Sequence, residues 1–252
     1  MRPDLSPELK RAMKDLRLGQ LLPTLPERLR IARERKLDPE DLLLTLLTDE
    51  TQRRAQQRHR VRAKDGGLQP DLVFERWDPA AKITFDRRVM DDLRLLRFVD
   101  EHHHALIIGP VGVGKTMIAH ALGHLAIARD LSVHCETAEK LLHRLRACRL
   151  DGTHERELRR LTQVDVLIVD DLALRPMDAH ETSDLHAIVC GRHKTASMVV
   201  TSNRDPSEWL ALLADPLQAQ ALVDRFVNSA YDLVIEGESY RRRQKPKVGG
   251  EA

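Results

Sequence analysis

The sequence predicts an α/β protein: an open parallel sheet covered by helices, preceded by a small helical domain. Three observations carry that expectation. From about Phe85 onward, short apolar runs alternate with segments long enough for crossover helices, the rhythm of a parallel sheet. Residues 6–64 show helix caps and helical leucine spacing instead. Between the first apolar run and the helical segment after it stands a glycine-rich loop. The expected boundaries are a helical domain over 1–65 ending in a basic arm, a linker over 66–83, and the α/β domain over 84–252.

In the N-terminal part, Ser6 is placed to cap a first helix, with Pro7 at its first position and Glu8 in its first turn. Gly19 ends it. A second helix is expected from about Pro26 to Lys36, and Asp38-Pro39 starts a third, in which Leu43, Leu46 and Leu47 form an apolar face. Residues 51–64 then carry six Lys/Arg and no acid before Asp65-Gly66-Gly67 stops the helix. The stretch 66–83 holds two prolines and two glycines and reads as a linker wrapping onto the next domain. Five strands are expected at Ala105–Ile108, Ser132–Cys135, Val164–Val169, Ser197–Thr201 and Asp232–Ile235. Most of them are rich in branched aliphatics, as strands buried on both faces are.

Composition excludes several classes. No apolar run approaches the ~18–20 residues of a membrane span, and the N-terminus lacks the apolar stretch of a secretory signal, so no membrane association is expected and the cytoplasm is the expected compartment. Three scattered cysteines supply neither a disulfide framework nor a paired-cysteine metal site. His102-His103-His104 point in different directions and are expected at the start of a strand rather than on a metal. The net charge of +2 divides into +5 over 1–65, −7 over 66–240 and +4 over 241–252, so a polyanion would meet the ends first. With only 8 aromatic residues, base stacking is a poor candidate and phosphate-directed contact the better one.

The chemistry-bearing loop is Gly109-Pro110-Val111-Gly112-Val113-Gly114-Lys115-Thr116, a GxxxxGK[ST] motif with a strand before it and a helix after it. Glycines let the backbone N–H groups converge on phosphates, Lys115 sets a cation between the β- and γ-phosphates, and Thr116 offers a hydroxyl to Mg²⁺. The expected ligands are therefore ATP and Mg²⁺. Four branched aliphatics ending in Asp170-Asp171 supply the second element: Asp170 as the outer Mg²⁺ partner, Asp171 as the candidate to orient the attacking water. Asn203, just past the tip of Met198–Thr201, is the candidate to bond the γ-phosphate or that water.

The succession GPVGVGKT, VLIVDD, VVTSNRDPSEW, LVDRF and GESYR resembles the IstB family, helper ATPases that accompany the transposase of certain insertion sequences. That family is a branch of the AAA+ ATPases close to the DnaC-type helicase loaders. The resemblance implies an AAA+ P-loop domain with a five-stranded parallel sheet flanked by helices. It implies Arg225 as an arginine finger reaching a neighbour's nucleotide site, and hence a homo-oligomer with ATP at the subunit interface. It also implies Arg241 as a sensor arginine near nucleotide. Asp171 stands where most of the superfamily has Glu, so slow turnover is expected. Ala173-Leu174-Arg175 stand where a glycine is expected after the acids.

Arg54, Arg58 and Arg62 fall at i, i+4 and i+8 on one helical stripe, beside Arg53, Arg60 and Lys64. Like charges at this spacing repel, so the stripe is expected to meet an anion: duplex DNA, or an acidic surface of the cognate transposase or of a neighbouring subunit. The function so implied is an ATP-switched helper that prepares target DNA and stimulates a transposase. The alternative is a replicative helicase loader, disfavoured by the lack of cysteines before Cys135; a P-loop small-molecule kinase lacks a lid-like arginine cluster.

Overall fold

The computed structural model describes residues 5–78 and 82–240. The chain forms two compact units, Met1–Val61 and Arg62–Ala252. The first contains helices α1 (Pro7–Asp15), α2 (Leu25–Arg35) and most of α3 (Pro39–Asp65). Ser6 Oγ accepts the Leu9 N–H at 3.2 Å, and Asp38 Oδ1 accepts the Glu40 N–H at 2.8 Å. These caps satisfy N–H groups that a helix start leaves open. A small core of Leu5, Met13, Leu21 and Leu25 gathers Leu29 and Leu46 around it.

Two expectations about α3 are corrected. Of the three leucines placed on one apolar face, Leu46 packs on that core, whereas Leu43 and Leu47 are 59% and 51% exposed. The inward stripe is Leu42, Leu46 and Glu50, spaced i, i+4, i+8, because the side facing the core is set by packing and not by leucine count. The basic stripe also has internal acids. Glu50, only 2% exposed, accepts from Arg53 at 2.8 Å and from Arg54 at 2.7 Å, and Arg54 donates a second bond to the Arg17 carbonyl. Arg62, in the second unit, donates to Asp130 Oδ1 at 2.7 Å and to the carbonyls of Asp130 and Leu131. Arg58 alone of the three is exposed, the other two being half-buried.

The second unit is the α/β domain. Parallel strands β2 (His104–Ile108), β3 (Val133–Thr137), β4 (Val166–Leu172), β5 (Ser197–Ser202) and β6 (Ala230–Val234) lie in the order β3-β4-β5-β2-β6. The intervening helices are α6 (Lys115–Ala128), α7 (Ala138–Leu150), α8 (His154–Gln163), α9 (Ala179–Arg192), α10 (Pro206–Trp209) and α11 (Pro216–Val227). Before the sheet come a two-residue strand β1 (Ile83–Thr84) and short helices α4 (Arg87–Arg94) and α5 (Arg97–Asp100); β1 pairs antiparallel with β7 (Glu236–Gly237). Strand periodicity sorts the core into two layers. Ala105, Ile107, Ile168 and Val199 pack with α4–α6, while Leu106, Leu167, Val169, Met198 and Val200 pack with α7, α9 and α11.

Strand ends differ from the apolar runs. β3 starts at Val133 and continues through the polar Glu136 and Thr137, since at the sheet edge backbone pairing outlasts apolar patterning. β4 runs from Val166 to Leu172 and so contains both acids. β6 begins two residues earlier than expected, at Ala230. Gly66 and Gly67 lie against β3, with the Cys135 N–H donating to the Gly66 carbonyl at 2.7 Å, which covers part of that edge. Among the described residues no helix is long and apolar enough to cross a membrane, and no group of three metal-ligating side chains forms. His104 is fully buried at the start of β2, stacked on Phe226 at 5.0 Å, and burial pushes its imidazole down to about 4.

The Glu50 pairing gives a pH signature. Its two arginine partners, Arg53 first, hold the carboxyl at about 2 against an ordinary 4.5. A depressed carboxylate contributes stability above its unfolded value that is lost as pH falls through the folded one. Urea unfolding followed by far-UV circular dichroism should therefore show the parent losing stability between pH 4.5 and 2 more steeply than Glu50→Gln. Equal slopes would exclude the buried carboxylate as the anchor of this helix.

Candidate functional site

The site is built at the C-terminal ends of the strands, where open α/β sheets collect ligands. β2 ends at Ile108 and the backbone turns through residues 109–114 into α6. Gly112 (φ +86°) and Gly114 (φ +101°) occupy the left-handed region that the turn needs. A Cβ on Gly112 would also collide with Ser239 Oγ. Lys115, the first residue of α6, is 5% exposed. Its ammonium donates to the carbonyls of Gly109 at 2.8 Å and Pro110 at 2.9 Å, and to Asn203 Oδ1. The loop with its lysine and Asn203, predicted from two separate stretches, therefore meet at one point, with the positive end of α6 behind them.

The acids meet the same loop. Thr116 Oγ1 donates to Asp170 Oδ1 at 3.1 Å, and Thr201 Oγ1 donates to the same oxygen at 2.5 Å. The Asp171 N–H donates to Thr201 Oγ1 at 2.8 Å. Asp171 and Ala173 both take left-handed backbone, with φ of +56° and +61°. Ala173 thus adopts, without being glycine, the conformation for which glycine is expected there. Further along, Arg175 forks onto Glu181 at 2.8 and 2.9 Å, and Glu181 closes a capping box with Asp178 at the start of α9. Two Asp-Pro pairs after β5 are helix starts: Asp205 caps α10 and Asp215 caps α11, each followed by proline. Trp209 is buried and donates to Ser202 Oγ at 3.2 Å, which ties α10 to the tip of β5.

A cleft of about 760 Å³ opens over the loop and is lined by Gly112–Thr116, Asp171 and Asn203. Its other wall comes from residues that motif reading missed: Trp77, Lys82, Ile83 and Tyr240. Trp77 lies 3.5 Å from where a Cβ on Gly114 would stand and meets Phe85 edge-on at 6.3 Å. The Tyr240 N–H donates to the Gly112 carbonyl at 2.8 Å. The available signal was compositional: in a chain with 8 aromatics, these two flank the α/β core on either side in sequence. Two histidines of α6 anchor the strand of chain leading to Trp77. His120 Nδ1 accepts the Gln69 N–H at 3.1 Å and His124 Nε2 bonds the Gln69 carbonyl at 2.9 Å; burial lowers the His120 pKa, keeping it an acceptor.

Other predicted residues lie elsewhere. Arg225 is exposed in the last turn of α11, donates to Cys190 Sγ, and does not line the cleft. Arg241 lies outside the described residues. Arg62, in the same unit as the cleft, does not line it either, and Arg54 and Arg58 belong to the first unit.

Comparison with known proteins gives the same direction. The family described as IstB-like ATP binding protein matches residues 11–248. A relative from Mycobacterium tuberculosis, described as an ATP-binding protein in an insertion sequence, is 32% identical over 241 residues, 95% of this chain and 96% of that protein. A second, described as an ATP-binding protein of insertion sequence IS21 from Pseudomonas aeruginosa, is 30% identical over 96% of this chain and 91% of its own length. Among solved structures, the replication initiator DnaA bound to AMPPCP and single-stranded DNA superposes with a TM-score of 0.57 at 21% identity, covering 68% of this chain and 51% of the initiator. The DnaC helicase loader superposes with a TM-score of 0.51 at 20% identity, covering 59% of this chain and 88% of the loader. At these identities the structural likeness is one of AAA+ fold.

The buried ammonium sets a direct expectation. Lys115→Ala removes the cation that the loop carbonyls and Asn203 hold, and should weaken ATP binding by about a hundredfold, the size of a lost charge-assisted contact in a buried site. Trp77 emission, titrated with ATP, measures it; unchanged affinity would exclude this loop as the phosphate site.

Proposed function

Since this chain belongs to the IstB-like ATP-binding protein family, we propose that it is a Mg²⁺-dependent ATPase that assembles as a homo-oligomer on duplex DNA and stimulates the transposase of its insertion sequence. The observation that carries the ATPase reading is the meeting of Lys115, Asn203, the Thr116–Asp170 pair and Asp171 at one cleft. In this reading Lys115 exchanges the loop carbonyls for phosphate oxygens, and Asn203, already on the ammonium, stands where the terminal phosphate arrives. Asp171 orients the attacking water. Thr116 Oγ1 and Asp170 Oδ1, 3.1 Å apart, are hard oxygen donors of the kind Mg²⁺ takes. Thr116 would hold the ion, with Asp170 behind it, and the bound ion would neutralise charge on the phosphate oxygens. The near full-length match to insertion-sequence proteins supports a transposition helper over a helicase loader, whose solved example covers 59% of this chain.

The trans arrangement rests on Arg225, exposed and away from its own cleft. Arg225→Ala should bind ATP normally yet lose turnover and ATP-dependent assembly. Mixed with Lys115→Ala it should recover part of the turnover, because each variant supplies the half-site the other lacks. Absence of rescue in co-assembled mixtures would exclude a shared site.

For DNA, the arm remains the candidate, with a reduced charge. Arg54 and Arg62 are engaged by Glu50 and Asp130, so Arg58 should dominate. Arg58→Gln should flatten the dependence of log affinity on log salt by about one unit, one phosphate contact. Replacing Arg54, Arg58 and Arg62 together by Gln should add less than two further units. If the triple variant matches the parent in slope and in ATP-dependent affinity for duplex DNA, the arm faces protein or solvent.

A further inference from the structure

We propose that Thr201 is a positioning residue of the hydrolytic centre, its hydroxyl clamped between the two adjacent acids so that both carboxylates serve the cleft. The inference rests on the ATPase reading and assigns a residue which that reading leaves out. In a regular strand, consecutive side chains point to opposite faces. Two neighbouring acids such as Asp170 and Asp171 would then be separated by the sheet. The pairing of β4 with β5 removes that separation. Val169 is registered with Val200 and Leu172 with Ser202, so two residues of β4 stand opposite the single residue Thr201. This is a bulge, which leaves one residue outside the backbone ladder and re-aims its side chain.

The residue outside the ladder is Asp171, at φ +56°. Its N–H finds a side chain in place of a strand carbonyl: it donates to Thr201 Oγ1 at 2.8 Å. The hydroxyl has one proton, and it goes to Asp170 Oδ1 at 2.5 Å, the oxygen that also receives Thr116. A hydroxyl supplies one donor and two acceptor sites, so Thr201 meets both demands at once. It is fully buried, which excludes water as a substitute partner. Asp171 consequently lines the cleft while Asp170 stays bonded to the phosphate loop.

The test compares Thr201→Val, nearly the same shape without the hydroxyl, with Thr201→Ser, which restores it. Thr201→Val should keep ATP affinity, measured without Mg²⁺, within about threefold, and lower kcat by roughly tenfold to a hundredfold with little change in KM, the effect of losing buried bonds to a charged group. Thr201→Ser should recover most of kcat. Combined with Asp171→Asn, Thr201→Val should slow turnover little further, because the threonine acts through that acid. Amide hydrogen exchange over 168–174 should rise in Thr201→Val and not in Thr201→Ser, and it is read without turnover. A parent that binds ATP without hydrolysing it would end the ATPase reading, while the exchange comparison would still report the clamp. The proposal is overturned by unchanged exchange in Thr201→Val, by an unchanged kcat, or by effects that add fully to those of Asp171→Asn. Should Thr201→Val fail to fold, Thr201→Ala against Thr201→Ser decides by the same measurements.

Discussion

A charged ammonium buried at the end of a parallel sheet is the constraint around which the second unit is arranged. Lys115 is 5% exposed, and a buried cation is tolerable only with acceptors close on several sides. Two acceptors are loop carbonyls, reachable because the backbone curls through left-handed glycines. The third is Asn203, past the end of β5. That contact needs β5 beside β2, which the order β3-β4-β5-β2-β6 provides. The same position makes β5 the neighbour of β4, so one strand reaches the lysine through Asn203 and the acids through Thr201.

The remaining polar groups at this edge are satisfied by equally local means. Ser202 Oγ donates to the Leu172 carbonyl and accepts from the Trp209 indole and the Arg204 N–H, so a single hydroxyl fastens α10, β4 and the Asn203 turn together. Thr201 is that device one residue earlier. Cavity walls follow from the same economy of contacts: two histidines one turn apart on α6 hold both polar atoms of the Gln69 backbone. The chain is thereby fixed a few residues before Trp77, and Tyr240 closes on Gly112 from the other side.

Charge in the helical unit follows a different logic. A stripe of arginines without acids of its own repels itself, and here the repulsion is relieved internally: Glu50 lies inside the bundle and draws Arg53 and Arg54 toward it. The exposed positive charge of the stripe is smaller than composition suggests, because of Arg54, Arg58 and Arg62 only Arg58 is classed with the exposed residues. Arg225 has an analogous internal partner in Cys190, four residues beyond His186 on α9, which holds an exposed arginine in a defined place.

The sequence by itself determined the class of the fold, the phosphate loop and the two acids, because each is written in consecutive residues: a strand-length apolar run, a glycine spacing, a carboxylate pair at a strand end. It also determined the helix starts at Ser6 and Asp38, since a cap acts over two or three residues of its own chain. Only the tertiary structure decided which leucines of α3 face inward and that Glu50 and Asp130 claim two arginines of the basic stripe. It alone brought Trp77 and Tyr240 to opposite ends of one loop and set two acids against Thr201. The physical reason is one of range. Backbone capping and loop curvature are local, whereas burial, strand register and ion pairing join residues that, like Arg62 and Asp130, no sequence spacing connects.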